Sequence, residues 1–188
     1  MTALTPGARR ILDVASELFY AHGIHAVGVD TIAAESGVTK RTLYDRFGSK
    51  DALVAAYLAA RDERWRARVT AAVEAENEPV RRALAPFAVL AEWVSEAPSR
   101  GCAFVNAFAE LDEPDHPARA VIEDEKRWLR ALFAAELARA GVADPDALAL
   151  QLLVLHEGAL VTHAVAAAPG APAATEGAAR LLVAAALS

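Results

Sequence analysis

The stretch VDTIAAESGVTKRTLYDRF, residues 29–47, decides the fold of this 188-residue chain. Apolar side chains at Ile32 and Leu43 lie on either side of Gly37, each at helical spacing from other apolar residues. Gly37 supplies the sharp turn that two short crossing helices need, and Thr39 supplies a hydroxyl that caps the second helix. The stretch therefore predicts a helix-turn-helix.

The second helix of this motif has a polar, basic outer face. With its apolar positions turned inward, the remaining side chains face outward. The amino-terminal end of such a helix enters the major groove of DNA, where lysine and arginine bind the O6 and N7 acceptors of guanine. We expect a DNA-binding surface formed by Thr39, Lys40, Arg41, Thr42, Tyr44, Arg46 and Lys50.

These residues are expected to act in two ways. Lys40 and Arg41, next to Thr39, are placed to meet base edges, whereas Tyr44 lies one turn later and is placed to reach a phosphate. Lys50 lies in the first turn of the following helix, where free amides and the helix dipole favour an anion. The alternative is that the charges form a solvated face and the tyrosine packs in the core.

The charge distribution agrees with a local DNA contact. The whole chain carries a net charge of -6, which by itself argues against nucleic acid. Residues 1–70 carry +2 and the remainder carries -8, while residues 39–50 alone carry +3. Positive charge is thus concentrated where phosphate contact is expected.

Composition and periodicity predict an all-α fold of about nine helices. Alanine, leucine, arginine and glutamate dominate, and 55% of the residues are hydrophobic. We expect a three-helix helix-turn-helix head at residues 1–50, followed by a helical bundle at residues 51–188 that binds a ligand and dimerises. A single cysteine excludes an internal disulfide and fits a cytoplasmic protein. The apolar run 147–168 contains charged and polar residues, so we expect it in a protein core and not in a membrane.

The head resembles the TetR (tetracycline-repressor) family of regulators. The matching residues extend over about the first 55 positions and include Arg10-Ile11-Leu12, Ala15, Leu18-Phe19, Gly23, Val29, Ile32-Ala33, Ser36-Gly37-Val38, Thr42-Leu43-Tyr44, Phe47, Ser49-Lys50 and Leu53. The segment Gly101-Cys102-Ala103-Phe104-Val105-Asn106-Ala107, with His116-Pro117 after it, is similar to one carboxy-terminal subclass of the family.

The resemblance implies a regulator that is not an enzyme, and on family grounds a repressor. It implies a small-molecule ligand that releases the protein from DNA, and a homodimer formed by the last two helices. The residues agree in part, because the helix predicted from Pro145 is apolar nearly all round and the last helix carries Leu181, Leu182 and Val183. Twofold symmetry would give two heads and a palindromic double-stranded operator.

The ligand site is expected among aromatic and polar residues of the body. Cys102, Asn106 and Glu110 share one predicted helical stripe, and His156 and His163 share another. Candidate ligand-binding residues are these five together with Trp65 and Trp93. The alternative is that each is an ordinary core or surface residue.

A metal site and a redox site are minor alternatives for the same residues. A metal could be held by His156, His163 and Glu110, but no tight ligand spacing appears in the sequence. Cys102 could have a redox role, but a lone cysteine usually packs as a small hydrophobic residue. We expect no cofactor and no metal.

Two other classes of protein compete with this interpretation. An all-helical enzyme or small-molecule carrier without DNA affinity needs a nucleophile with its base, a metal motif or a phosphate loop, and none stands at recognisable spacing. A helical module that binds only a protein partner would fit the apolar terminal helices but leaves the basic head unexplained.

Overall fold

The fold is all-α. The computed structural model describes residues 4–96 and 100–188, which form nine helices and no strand. The predicted fold class and helix count are confirmed. The helices are α1 (Pro6–His22), α2 (Val29–Glu35), α3 (Lys40–Phe47), α4 (Lys50–Ala75), α5 (Pro79–Ser95), α6 (Ala103–Glu110), α7 (Pro117–Arg139), α8 (Pro145–Val165) and α9 (Ala171–Ala186).

The helix starts follow from capping residues in the sequence. Side-chain oxygens of Thr5, Thr39 and Asp144 accept hydrogen bonds from backbone amides three residues later, at 3.4, 3.1 and 3.1 Å. Pro79 occupies the first position of α5, where its missing N–H costs nothing. Pro86 lies inside this helix.

Backbone contacts divide the chain into two compact units. The first comprises the chain up to Asp62 together with Ala103–Glu123, and the second comprises Glu63–Cys102 with Asp124–Ser188. The first unit thus contains the predicted head and also α6. The assignment of DNA binding to residues 1–50 and of ligand binding to residues 51–188 stays a prediction.

The first unit buries the apolar frame of the helix-turn-helix. Ile32 and Leu43 are fully buried, with Ile11, Leu53 and Leu58 beside them in the core of this unit. Gly37 has a φ of +66°, a left-handed conformation that side chains disfavour. The amide of the next residue then bonds back to the carbonyl of α2 at Ala33, 3.0 Å away. The turn between α2 and α3 is therefore closed as the sequence predicted.

The second unit has a separate apolar core. It is formed by one face each of α5, α7, α8 and α9 and contains Leu84, Phe87, Leu129, Phe133, Leu137, Leu148, Leu152, Ala179 and Val183. At its edge the buried carboxylate of Glu136 accepts two hydrogen bonds from the Arg82 guanidinium, at 2.7 and 3.0 Å. Such two-point pairing is among the stronger ion pairs in proteins.

Candidate functional site

Helix α3 presents a polar face framed by its buried residues. Leu43 is fully buried, whereas Lys40, Arg41 and Tyr44 are exposed, as is Arg46 in the last turn. The Thr39 hydroxyl is used as the cap, and the half-buried side chain of the residue at position 42 hydrogen-bonds to it at 2.9 Å. The outward placement predicted for the lysine, arginine and tyrosine agrees with the structure.

The two basic side chains at the start of α3 form surface ion pairs. Lys40 Nζ lies 3.1 Å from the carboxylate of Asp30 on α2. Arg41 Nε lies 3.9 Å from Asp45, and the arginine side chain is 92% exposed. Exposed pairs of this kind contribute about 0–1 kcal/mol, so they can be exchanged for DNA contacts at little cost.

Lys50 has a different environment from the α3 side chains. Its Nζ donates a hydrogen bond to the Ile24 carbonyl at 2.7 Å and lies 6.0 Å from the centre of the Phe19 ring. Burial lowers the pKa of this ammonium, although the carboxylates of Asp51 and Glu110 oppose the shift. In this DNA-free structure, Lys50 therefore fastens the loop after α1 to the start of α4, and its predicted contact with phosphate stays a prediction.

Glu110 lies beside the same loop. Its carboxylate accepts a hydrogen bond from the backbone N–H of His25 at 2.8 Å, and Gly23 leaves the space for this approach. A Cβ at position 23 would come within 3.1 Å of the carboxylate. On the facing side, His116 Nε2 lies 3.5 Å from Asp51. The structure thus places the proposed ligand residue Glu110 and the proposed DNA residue Lys50 along one groove of about 220 Å³ in the first unit.

The predicted stripe of Cys102, Asn106 and Glu110 is not a single helical stripe. Helix α6 begins at Ala103, so the cysteine precedes it and belongs to the second compact unit. Asn106 and Glu110 lie on α6 in the first unit, where Asn106 is half-buried. The sequence grouped the three because the helix was expected to begin one residue earlier.

Aromatic ligand candidates do come together in the second unit. The Trp65 and Trp93 rings meet edge to face with centroids 5.5 Å apart, and the His156 ring lies 5.5 Å from Trp65. Phe87 and Phe133 contact the other sides of this imidazole. His163, near the end of α8, is half-buried. Trp65, Trp93 and His156 therefore form one packed group, and their role in ligand binding stays a prediction.

Beside these rings lies a charged group that the sequence reasoning missed. Lys126 Nζ sits 2.8 Å from Glu125 Oε2, 2.7 Å from Glu157 Oε1 and 3.4 Å from Cys102 Sγ. We call Trp65, Glu125, Lys126, His156 and Glu157 the internal polar cluster.

The two carboxyls of the internal polar cluster differ in pKa. Burial raises the pKa of Glu125, although the charge of Lys126 opposes this. Burial would raise the pKa of Glu157 as well, but its contacts with His156 and Lys126 outweigh that effect and lower it to about 2. Burial works against the charge of Lys126, yet the neighbouring thiol and carboxylates keep its pKa above the ordinary value. Glu157 and Lys126 thus form the charged pair, and Glu125 is the group whose ionisation is costly.

A sequence signal for this cluster exists. Buried residues of α7 recur at spacings of three and four, and Glu125 falls on that stripe together with Ala118, Ile122, Leu129, Phe133 and Leu137. Glu157 lies near the middle of α8, a long apolar helix. A carboxylate in either position needs a partner.

Replacing Glu125 with glutamine is expected to raise thermal stability at pH 8. Because burial raises the pKa of Glu125 in the folded protein, ionisation destabilises the fold as pH rises through that value. The neutral amide removes this cost, and each kcal/mol gained corresponds to about 2–4 °C in Tm for a chain of this size. The gain over the wild type should shrink as the pH is lowered towards 5. The exposed neighbour Glu123→Gln is the matched control and should show no such trend; an equal trend in both variants would contradict the assignment to Glu125.

Neither the metal candidates nor other acidic and sulfur ligands assemble into a metal site in the described part of the chain. Within residues 4–96 and 100–188, no three histidine, cysteine, aspartate or glutamate side chains are grouped so that they could hold an ion. Glu110 belongs to the first unit, whereas His156 and His163 belong to the second.

Helix α8 is long and apolar enough to cross a membrane by length and composition alone. The mean hydropathy of its most apolar window is 1.5, and a third of that window is buried in the chain. The expectation that this helix is covered by protein on every side is therefore not met within one chain.

Comparison with known proteins decides the family. Residues 11–57, which include the helix-turn-helix, match the model of the tetR family of bacterial regulatory proteins. The structure superposes on the crystal structure of a TetR-family transcriptional regulator from Streptomyces coelicolor with a TM-score of 0.91 and 32% sequence identity, covering 97% of this chain and 96% of that one. The chain belongs to the TetR family. This TetR-family chain is accordingly a DNA-binding transcriptional regulator, as the sequence resemblance implied.

Two other relatives of this TetR-family regulator come from Mycobacterium tuberculosis. It is 51% identical over 43 residues to the transcriptional regulator MftR, and 28% identical over 138 residues to an uncharacterized helix-turn-helix-type transcriptional regulator. These matches cover 23% and 73% of this chain, and the chain spans 22% and 65% of the length of these relatives. All three relatives are named as transcriptional regulators and not as enzymes.

Proposed function

We propose that this TetR-family regulator is a homodimeric, ligand-responsive repressor that leaves a palindromic operator when a small molecule binds. The single observation that carries the proposal is the face of α3. Its basic and aromatic side chains point outward from a buried frame, and its amino-terminal end is free of apolar cover. That is the arrangement in which a recognition helix enters the major groove.

In this proposal the α3 residues divide by role. Lys40 and Arg41 read base edges, and Thr39 and Thr42 approach the same edges at the start of the helix. Tyr44 and Arg46 bind phosphate and so fix the register of the protein on the duplex. Lys50 contributes by holding the loop after α1 in place, with phosphate contact as an additional role that requires it to leave the Ile24 carbonyl.

Dimerisation through α8 and α9 is supported by the apolar residues that one chain leaves uncovered. Leu150, Val154, Val161 and Val165 are exposed along one side of α8, and Leu181 and Leu182 are exposed on α9, as is Leu187 directly after its end. The two helices pack against each other within the chain. An exposed apolar patch of this length favours an interface, and a second copy supplies a complementary one by twofold symmetry. Covered in this way, α8 needs no membrane, and a cytoplasmic location follows for a protein that binds chromosomal DNA.

Ligand binding is assigned in this proposal to the second unit. Trp65, Trp93 and His156 supply packed rings, and the internal polar cluster supplies hydrogen-bonding groups beside them. Mostly apolar sites with a few polar groups are typical of small-molecule pockets. Catalysis has no part in this function.

Titration of labelled duplex from the region upstream of the regulator's own gene tests the proposal. Fluorescence anisotropy should show tight binding to one segment and weaker binding to a scrambled duplex of equal length and composition. Affinity should fall between 50 and 200 mM salt, by about 10³–10⁵ if six to ten phosphates are contacted. Equal affinity for the two duplexes, or no binding at 50 mM salt, would instead favour a helical carrier or enzyme.

A further inference from the structure

Several buried polar atoms in the second unit make no hydrogen bond. They include Trp65 Nε1, both ring nitrogens of His156, Glu157 Oε2 and, outside the cluster, His163 Nδ1. His156 is only 2% exposed and Trp65 only 5%. Buried polar groups in folded proteins nearly always have partners, so a concentration of unpartnered ones indicates a site that a bound molecule completes.

The internal polar cluster holds one carboxyl more than its ammonium can pair with. Two carboxyls, Glu125 and Glu157, share the single ammonium of Lys126. Glu125 is 2% exposed, and although its Oε2 is ion-paired with Lys126, it accepts no hydrogen bond of good geometry. The groups whose charges act on Glu125 are Lys126, Glu157 and His156. Ionisation of Glu125, which burial opposes, would therefore leave one negative charge without a cation in a region shielded from water, and a bound cation would supply it.

The surroundings of the internal polar cluster are aromatic. The rings of Trp65, Phe87 and Phe133 lie around His156, and Trp93 packs edge to face against Trp65. Arg68 places its guanidinium 4.9 Å from the Trp93 ring centre, so this ring already attracts a cation on the side that the arginine uses. Aromatic rings beside a carboxylate favour organic cations, since the ring face attracts positive charge and the carboxylate pairs with it.

We infer that the internal polar cluster binds an organic amine in its protonated form. The ammonium group donates hydrogen bonds to the carboxylates of the two glutamates and to a ring nitrogen of the imidazole, and the apolar body of the amine lies against the tryptophan rings. A carboxylate ligand would add negative charge beside the two glutamates, and a neutral alcohol would leave the charge of an ionised Glu125 without a cation. The inference rests on the proposed ligand-responsive function and names the chemical class of its ligand.

Matched probes with one apolar body and three head groups test this inference. Phenethylamine, phenethyl alcohol and phenylacetate form one set, and tryptamine, tryptophol and indole-3-acetate form a second set with a larger body. Calorimetry and thermal shift on the full chain should show binding and a rise in Tm for the amines, with affinity about ten- to hundredfold above that for the alcohols. Alcohols or carboxylates binding as tightly as amines, or no amine binding in either set, would overturn the inference.

The Glu125→Gln variant tests the location of the amine site in the same calorimetry and thermal-shift measurements. The amide keeps the shape of the side chain but not its charge, so affinity for the amine should fall about ten- to hundredfold while the folded protein remains. The Glu123→Gln control should bind the amine as the wild type does. Unchanged amine affinity in Glu125→Gln would contradict the inference, and the wild-type comparison of head groups decides it even if that variant fails to fold.

Operator binding, measured on the same samples, keeps this inference separate from the proposed function. If a carboxylate or alcohol probe stabilises the protein and releases it from DNA, ligand-responsive regulation stands and the amine assignment fails. If the protein binds no DNA at all, the proposed function fails, whichever probe binds.

Discussion

Alanine at both Lys40 and Arg41 is expected to abolish the preference of this regulator for its operator over random DNA. Each base contact of a lysine or arginine with guanine is worth about 1–3 kcal/mol of discrimination, roughly 5- to 150-fold. A twofold dimer loses such contacts at both half-sites, so the specificity ratio should approach one. The ratio of dissociation constants for operator and scrambled duplex, measured by anisotropy at fixed salt, gives the answer.

The control for this variant removes the same charge elsewhere. Arg127 and Arg130 are exposed on α7, far along the chain from the helix-turn-helix. Replacing both with alanine lowers the net charge by the same amount and should leave the specificity ratio unchanged. If the control and the α3 variant lose specificity equally, overall charge and not groove reading governs operator choice.

Placing glutamate at Val154 and Leu181 is expected to convert the dimer to a monomer and to weaken operator binding about 10²–10⁴-fold. These side chains are 64% and 73% exposed on the apolar sides of α8 and α9, so the substitutions should not disturb the fold of one chain. In a dimer each would bury a charge without a partner. A monomer engages one half-site at a time and loses the gain from linked binding. Sedimentation equilibrium gives the oligomeric state, and anisotropy gives the affinity.

Val105→Glu provides the matched control for the dimer variant. Val105 is an exposed apolar residue on α6, outside the proposed interface. Its replacement adds the same charged group at a comparable exposed position and should leave the dimer intact. A Val154→Glu, Leu181→Glu protein that stays dimeric would place the interface elsewhere.

The helix-turn-helix was predictable from the sequence because its determinants are local. Thr39 caps α3 through an amide three residues away, and Gly37 alone takes the left-handed conformation that the turn requires. Ile32 and Leu43 are buried because each stands at helical spacing from its apolar neighbours. Local hydrogen bonds and hydrophobic periodicity depend only on residues that are close in sequence, so the head can be predicted without knowledge of the remaining fold.

The polar contacts could not be predicted in the same way because their partners are distant in sequence. Glu110 bonds to the amide of His25, 85 positions away, and Lys126 pairs with Glu157, 31 positions away. Helical spacing alone placed Glu110 on a ligand-facing stripe, but it says nothing about which element packs opposite. Lys50 was assigned to phosphate for the same reason, since the carbonyl that it binds belongs to a loop 26 residues earlier.

The link between Glu110 and His25 bears on how such proteins can be recombined. The carboxylate that accepts a hydrogen bond from the loop after α1 belongs to α6, and α6 lies in the same compact unit as the head. A chimera that joins residues 1–50 to a foreign body would leave the amide of His25 without this acceptor and expose the space beside Gly23. The part of the chain that can be exchanged between relatives is therefore discontinuous in sequence. A chimera should contain Ala103–Glu123 together with the DNA-binding head if it is to keep the operator specificity of that head.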